Sequence, residues 1–173
     1  MTCAVRVATV ADAGRLAAFG HRVFSATFAP GNDPLELARY VDRAYNPDAQ
    51  AAELASPAIT TLLACDADDR LLGFAQLRRG STPASVAGEA PIELWRFYVD
   101  QDWHGRGVAA GLMAAVCDKA VNEGAQTLWL GVWERNPRAQ AFYRKQGFAA
   151  VGPQVFMFGT EPQTDQSWVR SLQ

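Results

Sequence analysis

A chain of 173 residues, 49% of them apolar, carries enough hydrophobic surface for one domain with its own core. Sixteen Lys and Arg against eighteen Asp and Glu leave a formal charge of −2, and with no basic block or Arg-rich stripe this balance argues against a nucleic-acid partner. No apolar run approaches the roughly 20 residues that span a bilayer, and the opening Met-Thr-Cys-Ala-Val-Arg-Val lacks the basic-then-apolar order of a secretion signal.

Ala4–Ala8 reads as a short first strand. Thr9 or Asp12 caps the helix after it, in which Ala13, Leu16, Ala17, Gly20 and Phe24 share one face. Pro30-Gly31-Asn32-Asp33-Pro34 breaks the chain, Leu35–Tyr45 resumes as helix, and a third helical piece, Asp48–Ala55, follows Pro47. The aromatic residues of this part (Phe19, Phe24, Phe28, Tyr40, Tyr45) either pack helices together or wall a pocket, and both readings stay open. Ile59–Cys65 and Leu71–Arg78 are apolar strands joined by Asp66-Ala67-Asp68-Asp69-Arg70, a hairpin signal. Arg79–Pro91, rich in Gly, Ser, Pro and Ala, is a surface loop.

From Ile92 to Gly124 the chain reads as strand, glycine-rich turn and long helix. Leu94, Trp95, Phe97, Tyr98 and Val99 suit a mostly buried strand. Val108, Leu112, Val116 and Ala120 then recur on one helical face, widened by Ala109 and Met113 and stopped by Gly124. Gly105 and Gly107 remove side chains where this helix begins. Its unpaired N–H groups and partial positive charge make an anion site, with Arg106 beside it. Thr127–Trp133 is a further strand. Asn136-Pro137 starts a helix through Ala139, Phe142 and Tyr143 to Gly147, with Asn as cap and Pro in the first turn. Phe148–Phe158 is strand-like, and Trp168–Leu172 is expected as a last edge strand. The alternation predicts an α/β chain, a mixed sheet covered by helices, in one domain over 1–173.

Cys3, Cys65 and Cys117 are odd in number, far apart and each within an apolar segment, so buried free thiols in a reducing compartment are expected, and the protein is expected to be cytoplasmic. With only His21 and His104 and no paired Cys or His spacing, no metal site is expected.

Gly105-Arg106-Gly107-Val108-Ala109-Ala110 also fits the dinucleotide pattern G-x-G-x-x-G/A. The spacer Asp100–His104 is long for a Rossmann turn, and too little chain follows to complete a doubly wound fold. A glycine turn that merely lets strand meet helix is the other plain alternative.

Phe-Tyr-Val-Asp-Gln-Asp-Trp-His-Gly-Arg-Gly-Val-Ala (97–109) resembles the acyl-CoA signature of the GCN5-related N-acetyltransferases (GNAT), Gln/Arg-x-x-Gly-x-Gly/Ala after a strand, with His104 where Gln or Arg is usual. Leu-Gly-Val-Trp-Glu-Arg-Asn-Pro-Arg-Ala-Gln-Ala-Phe-Tyr-Arg-Lys-Gln-Gly-Phe (130–148) is similar to the family's second block. The resemblance covers the chain from about Ile59 onward and implies a mostly antiparallel mixed sheet, splayed in the middle and flanked by helices. It also implies an acetyl-CoA-binding part over about 59–160 and an acceptor-side part over about 1–57. A narrower likeness, carried by 130–136, Val-Phe-Met-Phe-Gly, Gln163-Thr164-Asp165, Thr27-Phe28 and Tyr40, is to the bacterial spermidine/spermine N-acetyltransferase branch. That branch is expected to have a His where Pro153-Gln154-Val155 stands.

The resemblance implies acetyl-CoA as donor, a small amine as acceptor (a polyamine on the narrower likeness), and a monomer or homodimer. Phe97, Tyr98 and Val99 would pair with the pantetheine arm, and His104, Gly105, Arg106, Gly107, Val108, Ala109 and Ala110 would surround the pyrophosphate. Asn136 would bond the arm as well as cap its helix, and Lys145 would reach the 3′-phosphate. A primary amine is only about one part in a few thousand neutral at pH 7, so a base is needed. Glu93 is the first candidate, its alternative being a pair with Arg96; Glu134 is the second, its alternative being to charge the first turn of the next helix. Tyr143 is the candidate acid for the departing thiolate, or else a core tyrosine beside Phe142. Phe28 and Tyr40 would border the acceptor, and Asp33, Glu36, Asp100 and Glu134 are acids available to a polyamine. Cys117 is disfavoured as an acyl carrier because it lies on the buried side of its helix, so direct transfer is expected. Rival readings are another acceptor (a protein N-terminus, an amino acid or an antibiotic) and an acyl-CoA-binding regulatory module without turnover.

Overall fold

The computed structural model describes residues 3–173. Among these, seven strands form one sheet in the order β1-β2-β3-β4-β5-β7-β6. The strands are β1 (Ala4–Val7), β2 (Ile59–Cys65), β3 (Leu71–Arg78), β4 (Pro91–Val99), β5 (Thr127–Trp133), β6 (Ala149–Phe158) and β7 (Glu161–Ser171), and the helices are α1 (Ala13–Phe28), α2 (Pro34–Ala44), α3 (Pro47–Ala55), α4 (Val108–Asn122) and α5 (Pro137–Lys145). Every pairing is antiparallel except β4 with β5, which is parallel. The expected fold class is therefore the one found.

The helix boundaries follow from local chemistry. Asp33 accepts hydrogen bonds from the Leu35 and Glu36 amides, and Asn46 from the Ala49 amide, each just before a proline. Both are side-chain caps ahead of a residue that has no N–H to lose. The α4 start differs: Gly107 sits at φ 85° and ψ −9° with no side-chain cap. That left-handed backbone is open to glycine at little cost, and it turns the first α4 amides outward.

Two cores lie on opposite faces of the sheet. Leu112, Met113 and Val116 of α4 and Tyr143 of α5 pack against Leu94, Leu128 and Leu130. On the other face α1 and α2 bring Leu16, Phe24, Tyr40 and Val41 against Leu63, Phe74 and Phe158. A bulge in β4 adjusts which side chains reach which core. Gln76 pairs with Arg96 but Leu77 pairs with Leu94, so Trp95 is skipped. The extra residue reverses the alternation, placing Ile92 and Leu94 before it, and Phe97 and Val99 after it, in the α4 core. Tyr98 goes to the opposite cluster.

Arg96 also turns to the α1–α3 side and is 5% exposed. One of its terminal nitrogens donates to Glu53 Oε2 at 2.6 Å and to Gln76 Oε1 at 2.7 Å. Gln50 and Gln76 amides donate to the same Glu53 oxygen at 3.0 and 3.1 Å. This network ties α3 to the middle of the sheet.

Two expectations need correction. Trp168–Leu172 is not an edge strand: it is the end of the longer β7, which lies between β5 and β6, and β6 is the edge. The Phe158-to-Glu161 connection is so short that β6 and β7 form a hairpin, a turn the sequence reading did not identify. Of the three cysteines only Cys65 is buried; Cys3 is exposed and Cys117 intermediate.

Glu53→Gln should cost about 3 kcal/mol of unfolding free energy, because it leaves a buried guanidinium with no counter-charge. Urea unfolding at neutral pH measures this, and a loss below about 1 kcal/mol would show that water entering beside Arg96 replaces the carboxylate.

Candidate active site

β4 and β5 pair only at Pro91 with Thr127, Ile92 with Leu128 and Glu93 with Trp129. Beyond Glu93 the two strands separate. From Leu94 to Val99 the β5-facing edge of β4 therefore has backbone donors and acceptors with no neighbouring strand, an unusual state for the interior of a sheet. A cavity of about 1290 Å³ opens through this gap.

At its α4–α5 end the cavity is bordered by Phe97, Val99, His104, Gly105 and Ala109, with Asn136 and Tyr143 from the other side. Gly105 and Gly107 lie at φ 73° and 85°, and a Cβ on either would meet nothing within 4 Å. Backbone conformation, not crowding, is what asks for glycine there. His104 Nε2 is 2.9 Å from the Val99 carbonyl oxygen, which closes the loop between β4 and α4 back onto the strand end. The imidazole thus fastens the turn where Gln or Arg was expected to serve. Arg106 rests with its guanidinium carbon 5.2 Å from the Trp103 ring centre. Arg106, Gly107, Val108 and Ala110 do not border the cavity itself, although Val108–Ala110 form the first turn of α4 whose amides have no earlier helical acceptors.

Asn136 accepts from the Ala139 amide at 3.1 Å, as its place before Pro137 predicts. Tyr143 is buried against Phe97, Phe142 and Phe148 and also reaches the cavity, so packing and exposure to a ligand coexist. Burial pushes its phenol well above the usual range, and the hydroxyl therefore stays protonated at neutral pH. Lys145 is exposed and does not border the cavity. Arg135 and Arg138 do, two cations the sequence reading passed over.

The other end of the cavity is aromatic. Phe28 packs 6.1 Å from Trp133 between ring centres, and Tyr40 stacks at 4.6 Å on Phe24. Phe28, Tyr40, Tyr98, Trp129, Trp133 and Phe156 all border the space. The open alternative for the N-terminal aromatics resolves into both roles: one cluster packs the helices and walls the pocket. The segment is fixed over the sheet by two side-chain links. Glu36 accepts from Thr160, and Gln163 donates to Asn32 at 2.7 Å.

Three carboxylates border the cavity: Glu53, Glu93 and Asp165. Glu93 accepts from Arg78 Nε at 2.8 Å; its partner is Arg78 and not Arg96. Burial raises its carboxyl above the usual range, with Arg78 pulling the other way. Trp95, the bulged residue, has guanidinium carbons of Arg96 and Arg78 at 3.8 and 4.0 Å from its ring centre. Glu134 is exposed and does not border the cavity. The other acids expected to serve a polyamine are engaged elsewhere: Asp33 caps α2, Glu36 holds Thr160, and Asp100 takes Arg22 at 2.7 Å. Asp165 appeared only within the Gln163-Thr164-Asp165 likeness and was given no site role. Its place on an alternating strand would have pointed it at the cavity, but the last strand was expected to begin only at Trp168.

The cleft between two strands of one sheet, with a glycine-opened helix at one end and an aromatic chamber at the other, defines an acyl-transfer architecture. Comparison with known proteins agrees. Residues 21–148 match the acetyltransferase (GNAT) family. An uncharacterized N-acetyltransferase of Mycobacterium bovis is 36% identical over 161 residues, covering 93% of this chain and 98% of the relative. PaiA N-acetyltransferase from Thermoplasma acidophilum, solved in complex with coenzyme A, shares the fold with a TM-score of 0.81 at 19% identity over 99% of both chains. A spermidine N-acetyltransferase SpeG chimera from Vibrio cholerae and hSSAT does so with a TM-score of 0.71 at 17% identity, over 99% of this chain and 96% of the other. The chain belongs to the GNAT family. It is an N-acetyltransferase, with acetyl-CoA as its acyl donor. Among the described residues no helix is long and apolar enough to cross a membrane.

Proposed function

We propose that this enzyme transfers acetyl from acetyl-CoA directly to the primary amine of a small acceptor, both bound in the one cavity. The observation that carries the reading is the free β4 edge, Leu94–Val99, facing a cavity shared by the α4 start and the aromatic chamber. A strand edge without a strand is a template for an extended amide chain, and the pantetheine arm is one. Phe97, Tyr98 and Val99 supply the backbone partners. The amides of Gly105 through Ala110 take the pyrophosphate, and Arg135 and Arg138 add full positive charges at that end.

Acetyl transfer then needs the amine held against the thioester, a polarised carbonyl and a proton for the thiolate. A β4 amide left free by the splay can donate to the thioester oxygen. Tyr143 is the acid. Burial weakens a phenol as a proton donor, but it also raises the proton affinity of a thiolate buried beside it, so the transfer remains matched. The polyamine reading draws support from the fold shared with the spermidine enzyme chimera and from Phe28 and Tyr40 on the cavity wall. The charge of the chamber weighs against it.

Titration calorimetry should show acetyl-CoA binding to the folded protein, and Gly107→Glu should abolish it while lowering the melting temperature by only about 2–5 °C, the cost of a side chain at a positive φ; binding that survives the substitution refutes the pyrophosphate site. Tyr143→Phe should lower kcat at least 50-fold with the KM for acetyl-CoA within threefold. A kcat within twofold of the parent removes the acid role.

A further inference from the structure

Asp165 is 7% exposed and borders the cavity from β7. Its neighbours are Trp133 across one strand pair and Gln154 across the other. The bulge that skips Val151 in β6 brings Gln154 into this register. Gly131, two residues before Trp133 on the same face, leaves room for the pair: a Cβ there would collide with the Gln154 amide and come within 3.4 Å of Asp165 Oδ2. The other carboxylate oxygen, Oδ1, is buried with no hydrogen-bond partner. Among the described residues Asp165 has no ion pair either, whereas the other two cavity carboxylates hold Arg96 and Arg78 at 2.6 and 2.8 Å. A buried, unpaired carboxylate is costly to a fold unless a cation comes to it.

We propose that Asp165 binds the ammonium of the acceptor and takes its proton, and that the acceptor is an amine with one positive charge and an apolar or aromatic body. The substrate class rests on the acetyl-transfer reading above. Its charge follows from the walls of the cavity: one carboxylate is uncompensated, while Arg43 of α2 also opens onto the space on the acceptor side. A polyamine would bring two or three further charges to this end with no unpaired acid left to receive them. Its body follows from Phe28, Trp129, Trp133 and Phe156, which offer ring faces and no further anion.

The bound ammonium passes one proton to Asp165, and in an apolar site the neutral amine and acid gain on the ion pair. The amine nitrogen attacks the thioester carbon, the C–N bond forms and the C–S bond breaks. The thiolate takes the Tyr143 proton, and the second nitrogen proton restores the phenol. Asp165 releases its own proton to water. Burial, with the charge of Glu134 adding to it, pushes the Asp165 carboxyl up to about 6. The residues facing it (Gly131 and Trp133 on β5, Gln154 on β6, and Gln163 and Ser167 on its own strand) carry no charge, and the charged group that acts on it is Glu134, just past the end of β5.

The experiment is thiol-release kinetics with 2-phenylethylamine and spermidine from pH 5 to 9, on the parent and on Asp165→Asn. The parent should prefer 2-phenylethylamine at least tenfold in kcat/KM, with an acid limb near pH 6. Asp165→Asn should lose at least 100-fold in kcat/KM, lose that limb and bind acetyl-CoA as before. A structural role is separated by stability. A carboxyl raised from 3.8 to about 6 contributes fully below pH 4 and progressively less as pH rises through 6. Asp165→Asn, which removes that charge, should therefore melt higher than the parent above pH 6. Activity within threefold and an unmoved limb overturn the role of Asp165, and preference for spermidine overturns the substrate class. Acetyl-CoA binding without turnover of either amine also overturns the substrate class, whereas no acetyl-CoA binding overturns the acetyl-transfer reading itself.

Discussion

The site depends on a parallel strand contact that lasts for three residue pairs and then stops. Had β4 and β5 stayed paired to Val99 and Trp133, the sheet would be continuous and the cavity would not exist. The separation is held from both sides. The bulge at Trp95 bends and twists β4, with two arginines against that ring. β5 is held by β7 through all seven of its residues, Thr127 to Trp133. An opening with unpaired backbone groups costs free energy in an empty fold, and a ligand that supplies the missing strand recovers it.

The same opening separates two opposite electrostatic demands. On the proposed reading a diphosphate needs positive charge, for which the first turn of α4 offers amides that point away from the core, with arginines nearby. An amine needs an anion, and must also shed a proton. Placing both in one polar pocket would let the phosphate and the ammonium compete for each other. Here the sheet itself stands between them, with the splay as the passage. In the proposed reaction only the reacting atoms need meet, beside the free amides of β4.

Much of this was legible in the chain. Gly105 and Gly107 before an apolar helical stripe announced the helix start, and their positive φ angles are what glycine is for. Asn136-Pro137 announced α5 with its cap. What could not be read was set by neighbours distant in sequence. A pair with Arg96 was the alternative role for Glu93; the bulge at Trp95 lies between the two and Arg96 turns to Glu53 instead. Glu134 stood beside the Asn136 cap but points to solvent, while Arg135 and Arg138, in the same stretch, reach the cavity. Asp165 lay in a polar run whose strand character comes from pairing on both edges, not from its own composition.

A fold can carry a carboxylate like Asp165 only because the surrounding strands over-determine its position. Seven β5 pairs on one edge and nine β6 pairs on the other fix the β7 backbone, so the side chain cannot swing out to water without dismantling the ladder. Gly131 and the β6 bulge then clear the volume around it. Arg96 is also buried, and yet it is met by Glu53, Gln76 and two aromatic rings, the arrangement expected where charge serves structure. The two cases sit on one sheet within one cavity and differ only in whether the counter-charge is built in. That difference, rather than burial or proximity to the cleft, distinguishes the residue that holds the architecture from the one left open to receive a cation.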